Sequence, residues 1–315
     1  MHHTTLLSKY ARQFGTFAGL IGLCIVLWIL TPHFLTVSNL LNVAQQTSIN
    51  AIIAVGLTFV IISGGIDLSV GSLVAFSGVV LASLLQQSVP LPIALAGGLA
   101  VGLLCGLVNG VLITYGKLPP FIATLGMMSV ARGGALLFTD GRPISGFSES
   151  FRQFATAEIF HIPVPVVLMV GVYAVAHFVL RRTKFGRYVY AIGGNEEAAL
   201  LSGVRVRLYK TLVYGVGGLL SGLAAVVLTA RLNSAQPIAG INYELDAIAA
   251  TVIGGTSLMG GQGSVIGTLI GALIMGVLRN GLNLLGVSSF IQQVVIGAVI
   301  IVAVLMDTAF KRQKT

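Results

Sequence analysis

The chain reads as an all-α integral membrane protein of about ten transmembrane helices, with a weak internal repeat and broken or re-entrant segments. Three observations carry that reading. Of the 315 residues, 56% are hydrophobic and only 9% charged, at a mean hydropathy of +0.96. The apolar residues gather into runs of roughly 20, the length a spanning helix needs. Those runs are rich in glycine, with 40 in the chain. No soluble domain has this composition, so residues 1–315 are expected to form a single polytopic membrane domain.

The first run, Phe14 to Thr31, follows Lys9 and Arg12. It is long and no small-residue cleavage site succeeds it, so it reads as a retained anchor and not as a signal peptide. Spans are placed next at Gln45 to Ser63 and Ser69 to Leu85, separated by Gly64-Gly65-Ile66-Asp67-Leu68-Ser69-Val70-Gly71. Glycines and an acid at that depth predict a helix that breaks and restarts, with Asp67 or Ser69 capping the new amides that lipid cannot satisfy. A buried acid in a membrane equally suits a gate or a hydrophilic passage. Leu91 to Tyr115, Phe121 to Phe138, Pro163 to Leu180 and Thr211 to Thr229 are the next four spans. The segment Glu244 to Leu258 is short and begins with Glu244 and Asp246, which suits a half-span or re-entrant piece. Val265 to Leu285 and Ser289 to Met306 complete the set.

Charge fixes the orientation. With ten crossings and the amino end inside, 13 of the 18 basic residues fall on inner loops and tails: Lys9, Arg12, Lys117, those of the 181–210 stretch, Lys311, Arg312 and Lys314. Arg142, Arg152 and Arg231 fall outside, and Arg132 and Arg279 in or near spans. The positive-inside rule therefore puts both termini in the cytoplasm. The formal charge of +9 follows from that topology and from anionic headgroups, so no nucleic-acid partner is expected. Cys24 and Cys105 lie far apart in separate spans and imply neither disulfide nor metal. His2 and His3, His33, His161 and His177 form no ligand cluster, and no catalytic constellation emerges.

Small residues recur every fourth position at Gly98, Gly102, Gly106 and Gly110, and again at Gly263, Gly267 and Gly271. That spacing lets helices approach closely in lipid. The two runs resemble each other, closing on Asn109-Gly110 and on Asn280-Gly281, with Gly64-Gly65 before the first as Gly254-Gly255 precedes the second. Two related halves are a transporter trait. Gln45, Gln46, Thr47 and Asn50 look like the polar start of the second span, and Asn280 and Asn283 stand inside the ninth. Such groups offer donors and acceptors to a neutral polyol without a fixed charge, or tie helices together.

Residues 181–210 are the polar island of the chain. Within it Glu197-Ala198-Ala199, three further residues and Gly203 suit a short amphipathic helix closed by a glycine, followed by a short polar loop from Val204 to Lys210. No Gly-x-x-x-x-Gly-Lys-Ser/Thr loop is present, so the chain has no phosphate cradle of that type and reads as a transport subunit, not an enzyme.

Gln45 to Ala51, Gly65 to Ser72, Phe121 to Leu125, Gly193 to Glu196, Ser234 to Pro237, Tyr243 to Ala250, Gly254 to Leu258 and Asn280 to Ser289 together carry a family likeness. Over nearly its whole length the chain resembles the permease subunits of ribose-type ABC importers, the bacterial ribose, xylose and allose systems, and looks most like the ribose member. The resemblance implies a multi-pass inner-membrane protein that pairs with a second permease copy and meets a sugar-loaded periplasmic binding protein outside. Inside, it binds a separate ATP-binding subunit, which uses ATP and magnesium; this chain binds no cofactor. Glu197, Ala198, Ala199 and Gly203 match the family's coupling motif, which seats in a cleft of the ATPase, with Arg205 and Arg207 facing acidic rims. The proline that ends the fuller motif is absent. Asp67, Ser69, Gln46, Asn50, Asn109, Asn280 and Asn283 are the candidates for the passage or its gate. Two rivals stay open: a secondary transporter, which needs buried acids for an ion site, and a passive channel, which needs a selectivity ring and no coupling loop.

Overall fold

The computed structural model describes residues 2–312, and side-chain surroundings over residues 15–305. The side chains of His2, His3, Lys9, Arg12, Lys311, Arg312 and Lys314 lie outside that range.

The described chain is a helical bundle. In order come α1 (His2–Leu30), α2 (Val37–Ile62), α3 (Val70–Gln86), α4 (Leu91–Thr114), α5 (Pro120–Thr139), α6 (Glu149–Thr156) and α7 (Val164–Arg182). The island folds as α8 (Lys184–Gly194) and α9 (Glu196–Leu201), and α10 (Val206–Leu232), α11 (Tyr243–Ile253), α12 (Val265–Leu284) and α13 (Ser289–Arg312) follow. Four two-residue strands decorate the loops: β1 (Ile144–Ser145) pairs antiparallel with β4 (Ser234–Ala235), and β2 (Glu158–Ile159) with β3 (Ile162–Pro163).

Among the described residues six helices, α2, α4, α5, α7, α10 and α12, are long and apolar enough to cross a membrane. Shorter apolar stretches occupy Gly15–Leu30, Val70–Gln86 and Ser289–Leu305. The eighth expected span is α11, whose 11 residues rise only about 16 Å, half a hydrocarbon core. It is followed by a glycine-rich return over residues 254–264.

Several boundaries differ from the sequence reading: α1 begins before Phe14, α10 begins at Val206 inside the expected 204–210 loop, and the start of α2 moves most consequentially. Gln45 to Asn50 are not the start of the second span, because α2 already begins at Val37, where Thr36 Oγ1 accepts the Asn39 amide at 3.3 Å. An N-cap outweighs a polar stretch in deciding where a helix starts. From Thr47 to Ile62 every α2 residue except Asn50 is buried, so α2 is wrapped on all sides, by α7, α10, α11 and α12.

Glycine sets the helix approaches. A Cβ at Gly102 would run into the carbonyl of Gly218, and one at Gly110 would stand 2.6 Å from the Thr211 Cα, so α4 lies backbone-close on α10. At Gly56 a Cβ would come within 2.9 Å of the Gly217 Cα, where α2 crosses α10. Gly267 and Gly271 lie against Gly254 and Ala250 of α11 in the same way. Close packing of small residues replaces the hydrophobic drive that lipid removes.

The packing repeats. α2 lies on α11 and α12 as α10 lies on α3 and α4, α2 and α10 lie on each other, α3 packs on α4 and α5, and α11 on α12 and α13. Exchanging α2, α3, α4 and α5 for α10, α11, α12 and α13 preserves this pattern. Ile62, the last residue of α2, lies against Gly193 of the island, whereas α10 begins beside it. The paired helices run oppositely, which is the geometry of an inverted repeat. Asn109-Gly110 and Asn280-Gly281 thus occupy matched helices, α4 and α12. Gly64-Gly65 and Gly254-Gly255 do not match, since one follows α2 and the other follows α11.

Candidate functional site

Three groups of polar residues stand out, and the structure separates them. The first is the island. Asn195 Oδ1 accepts the Ala198 amide at 2.9 Å and opens α9. At its other end the Gly203 N–H reaches the Leu200 carbonyl at 3.0 Å and the Val204 N–H the Ala199 carbonyl at 3.1 Å. With Gly203 at φ +82° this is a Schellman ending, completed by apolar contact between Ala199 and Val204 in one cluster. Glu197, Ala198, Leu200, Leu201, Gly203, Arg205 and Arg207 are exposed. Ala199 is not: it is buried against Ile192, Val204 and Val206, so only Ala198 of the alanine pair can seat against a partner. The end of α4 adjoins this face and was not singled out from sequence. Tyr115 and Lys117 join Glu197, Leu200 and Arg205 around an open cleft of about 960 Å³, with the Arg207 guanidinium 5.6 Å from the Tyr115 ring centroid. Lys210 Nζ bonds Glu196 Oε2 at 2.8 Å and fastens α9 to α10.

The second group lies at the break between α2 and α3. Asp67 is 0% exposed. Its Oδ1 accepts the Ser69 amide at 2.8 Å and the Ser69 hydroxyl at 2.6 Å, and Asn109 Nδ2 of α4 donates to Ser69 Oγ at 3.0 Å. Ser69 occupies the N-cap position of α3 without a side-chain capping bond. The expected cap is therefore replaced by an Asx-type turn just before the helix, and Asp67, Ser69 and Asn109 form one knot holding the break to α4. Tyr214 of α10 closes over it, with its hydroxyl against Gly65.

The third group lies along α2 and α12: Gln46 and Asn50 line one small pocket, whereas Asn280 and Asn283 are tied elsewhere. Asn39 and Asn280 exchange amide bonds at 3.0 and 2.9 Å. Asn283 Oδ1 accepts from Gln292 Nε2 at 2.7 Å. Two residues missed as site members complete the group: Arg279 Nη2 lies 2.6 Å from Asp246 Oδ2, to which Asn50 Nδ2 also donates at 3.2 Å. Asn39, Asn42, Gln46 and Asn50 follow one another at helical spacing along α2. That stripe was readable in the sequence once the helix is known to begin at Val37.

Elsewhere Arg132 of α5 donates to the carbonyls of Pro237 and Ala239 at 2.8 and 2.7 Å, holding the loop before α11. Among the described residues no cluster of histidine, cysteine and acidic groups suits a metal, and both cysteines are free.

Comparison with known proteins gives this framework its context. A family model described as branched-chain amino acid transport system / permease component matches residues 39–304. The ribose import permease protein of Bacillus subtilis (strain 168) is 52% identical over 298 residues, covering 94% of this chain and 92% of that protein. The ribose import permease protein of Haemophilus influenzae (strain ATCC 51907 / DSM 11121 / KW20 / Rd) is 50% identical over 312 residues, 98% of this chain and 97% of that one. The D-allose transport system permease protein of Escherichia coli (strain K12) is 41% identical over 297 residues, 94% and 91% of the two chains. No solved structure matches. A broken-helix bundle with an inverted repeat, a family match across 39–304 and half-identity over almost the full length of such relatives lead to one conclusion: the chain belongs to the family of transport-system permease components.

Proposed function

We propose that this chain is the permease subunit of an ATP-driven monosaccharide importer and that ribose is its substrate. It forms the passage as a homodimer, crosses a bacterial inner membrane about ten times with both termini in the cytoplasm, and meets a periplasmic sugar-binding protein on the outer side. ATP and magnesium are used by a separate ATP-binding subunit. That subunit docks on the island, residues 181–210, through the exposed face of α9 (Glu197, Ala198, Leu200) and through Arg205 and Arg207, with Gly203 setting where the helix ends. Asp67, Ser69 and Asn109 hold the hinge of the broken helix, and Gln46, Asn50, Asn280 and Asn283 border the passage.

The observation that carries the substrate is identity of 50–52% to ribose import permeases against 41% to the allose protein. The observation that supports the docking is the capped, solvent-facing α9 standing at the ends of α2 and α4 and the start of α10. Binding at one end changes the other only if ATP and sugar bind the two states unequally. The test is uptake by vesicles holding the chain, the ATP-binding subunit and the binding protein. Ribose accumulation that requires ATP and both partners is expected. Uptake driven by an ion gradient without the ATP-binding subunit would replace this reading with a secondary transporter, and leakage without either energy source with a channel.

A further inference from the structure

Where the polar stripe of α2 ends, a small pocket opens between α2, α11 and α12, lined by Gln46, Thr47, Asn50, Asp246, Gly276 and Arg279 and of about 40 Å³. We propose that this pocket is a sugar-reading site, holding one or two hydroxyls of a monosaccharide in transit. The inference rests on the reading of the chain as a sugar permease.

The stripe supplies the first argument. Asn42 and Gln46 are exposed on a helix otherwise apolar enough to span. Amides facing hydrocarbon leave costly unpaired groups, so a row of them marks a wetted surface. The row leads to a carboxylate and a guanidinium that no extramembrane loop supplies. Arg279 stands 14 residues along α12 from Val265, about 21 Å from the helix end nearest the island, and so in the half of the membrane remote from α9.

The donor and acceptor inventory supplies the second. The Asp246 carboxylate is 4% exposed and its Oδ2 already takes bonds from Asn50 and Arg279, whereas the Arg279 side chain is 43% exposed and keeps free donors. Asn50 Oδ1 and Thr47 Oγ1 are buried without a partner. Asp67 Oδ2 and Asn109 Oδ1 are buried without a partner too, each at about 1–3 kcal/mol; the orphans at the pocket differ in lining it together with a guanidinium that has donors to spare. A sugar hydroxyl fits them: it donates to Asn50 Oδ1 or Thr47 Oγ1 and accepts from the guanidinium. The volume is close to one water's share of about 30 Å³, so the pocket reads individual hydroxyls and does not engulf a ring. Shallow contact of that kind releases its ligand readily, which passage demands. Gly276 keeps the floor low, because a Cβ there would strike the Thr47 hydroxyl.

The test uses the full complex of permease, ATP-binding subunit and binding protein in proteoliposomes, measuring sugar uptake and binding-protein-stimulated ATP hydrolysis side by side. Thr47→Val keeps shape and loses the hydroxyl: uptake is expected to fall at least about fivefold with hydrolysis unchanged, as an orphan hydroxyl worth about 1 kcal/mol in transit implies. The neutral pair Asp246→Asn with Arg279→Gln removes the charges without stranding one, and is expected to hydrolyse ATP normally and import sugar poorly. Gln46→Cys, at the exposed rim of the pocket and with Cys24 and Cys105 replaced by alanine, is expected to react with a small charged thiol reagent and to be protected by ribose during turnover. If the neutral pair keeps uptake together with hydrolysis, or ribose leaves the reaction of Gln46→Cys unchanged, the site is a structural tie and the proposal fails. If the unaltered complex itself shows no ATP-dependent uptake, the importer reading fails instead, a different and separable result.

Discussion

The ending of α9 allows a graded test of how the island is built. Gly203 sits at φ +82°, and a Cβ added there finds nothing within 4 Å. Any substitution is therefore penalised by backbone conformation alone. An L-residue in the left-handed region costs roughly 1–2 kcal/mol, with asparagine the most tolerant and β-branched residues the least. Alanine should cost about 1 kcal/mol after the reduced freedom of its unfolded chain is credited, and valine about 2. If α9 must end here for the ATP-binding subunit to seat, that energy is drawn from docking. At tenfold per 1.4 kcal/mol the dissociation constant rises about fivefold for Gly203→Ala and up to about 30-fold for Gly203→Val, with Gly203→Asn near wild type. The assay is binding of the purified ATP-binding subunit to the permease in nanodiscs, with thermal unfolding as control. The unfolding temperature should shift by no more than about 4 °C. Wild-type affinity for Gly203→Val, or equal damage from asparagine and valine, would refute the argument.

Other outcomes follow from the packing. Gly102→Ala drives a methyl into the Gly218 carbonyl and should destabilise the detergent-solubilised protein by about 1–3 kcal/mol or more; Gly126→Ala meets open space and should leave its unfolding temperature unchanged or slightly raised. Asp67→Leu strands the amide and hydroxyl of Ser69 and should cost about 1–3 kcal/mol for each, whereas Asp67→Asn retains an acceptor oxygen and should cost less than about 1.5, both read by thermal unfolding. Glu196→Gln removes the charge that pairs with Lys210 while keeping an acceptor oxygen, and Glu196 is 54% exposed. After screening by solvent the loss should stay below about 1 kcal/mol in a denaturation series.

The parts of this fold legible in the sequence are those fixed by local rules. Hydropathy located the long apolar helices, the Gly203 ending was visible as a glycine after a short amphipathic run, and the four-residue glycine spacing of Gly98 to Gly110 announced close helix packing without saying that α10 supplies most of it. The start of α2 was misplaced because its first turns, Val37 to Ala44, are only moderately apolar and the signal lay in the Thr36 cap. The stripe therefore looks in the sequence like the polar start of a span and is one face of a continuous helix. The Asp246 and Arg279 pair was out of reach, since nothing in their 33-residue separation says that α11 folds back to meet α12. The burial of Ala199 was likewise a matter of tertiary contact: in the sequence its neighbour Ala198 is indistinguishable from it.

The Gly56 and Gly217 crossing has a mechanical meaning. With no side chain between the two backbones, this is where α2 and α10 come closest, inside a longer seam filled by residues such as Val60, Val213 and Tyr214. Gly217 stands 11 residues from the first residue of α10 and 15 from the last, giving arms of about 16 and 22 Å. Were α10 to tilt as a rigid rod about that crossing, a push of about 3 Å at the island end would become a sweep of about 4 Å at the remote end, and the placing of one glycine pair would set that ratio.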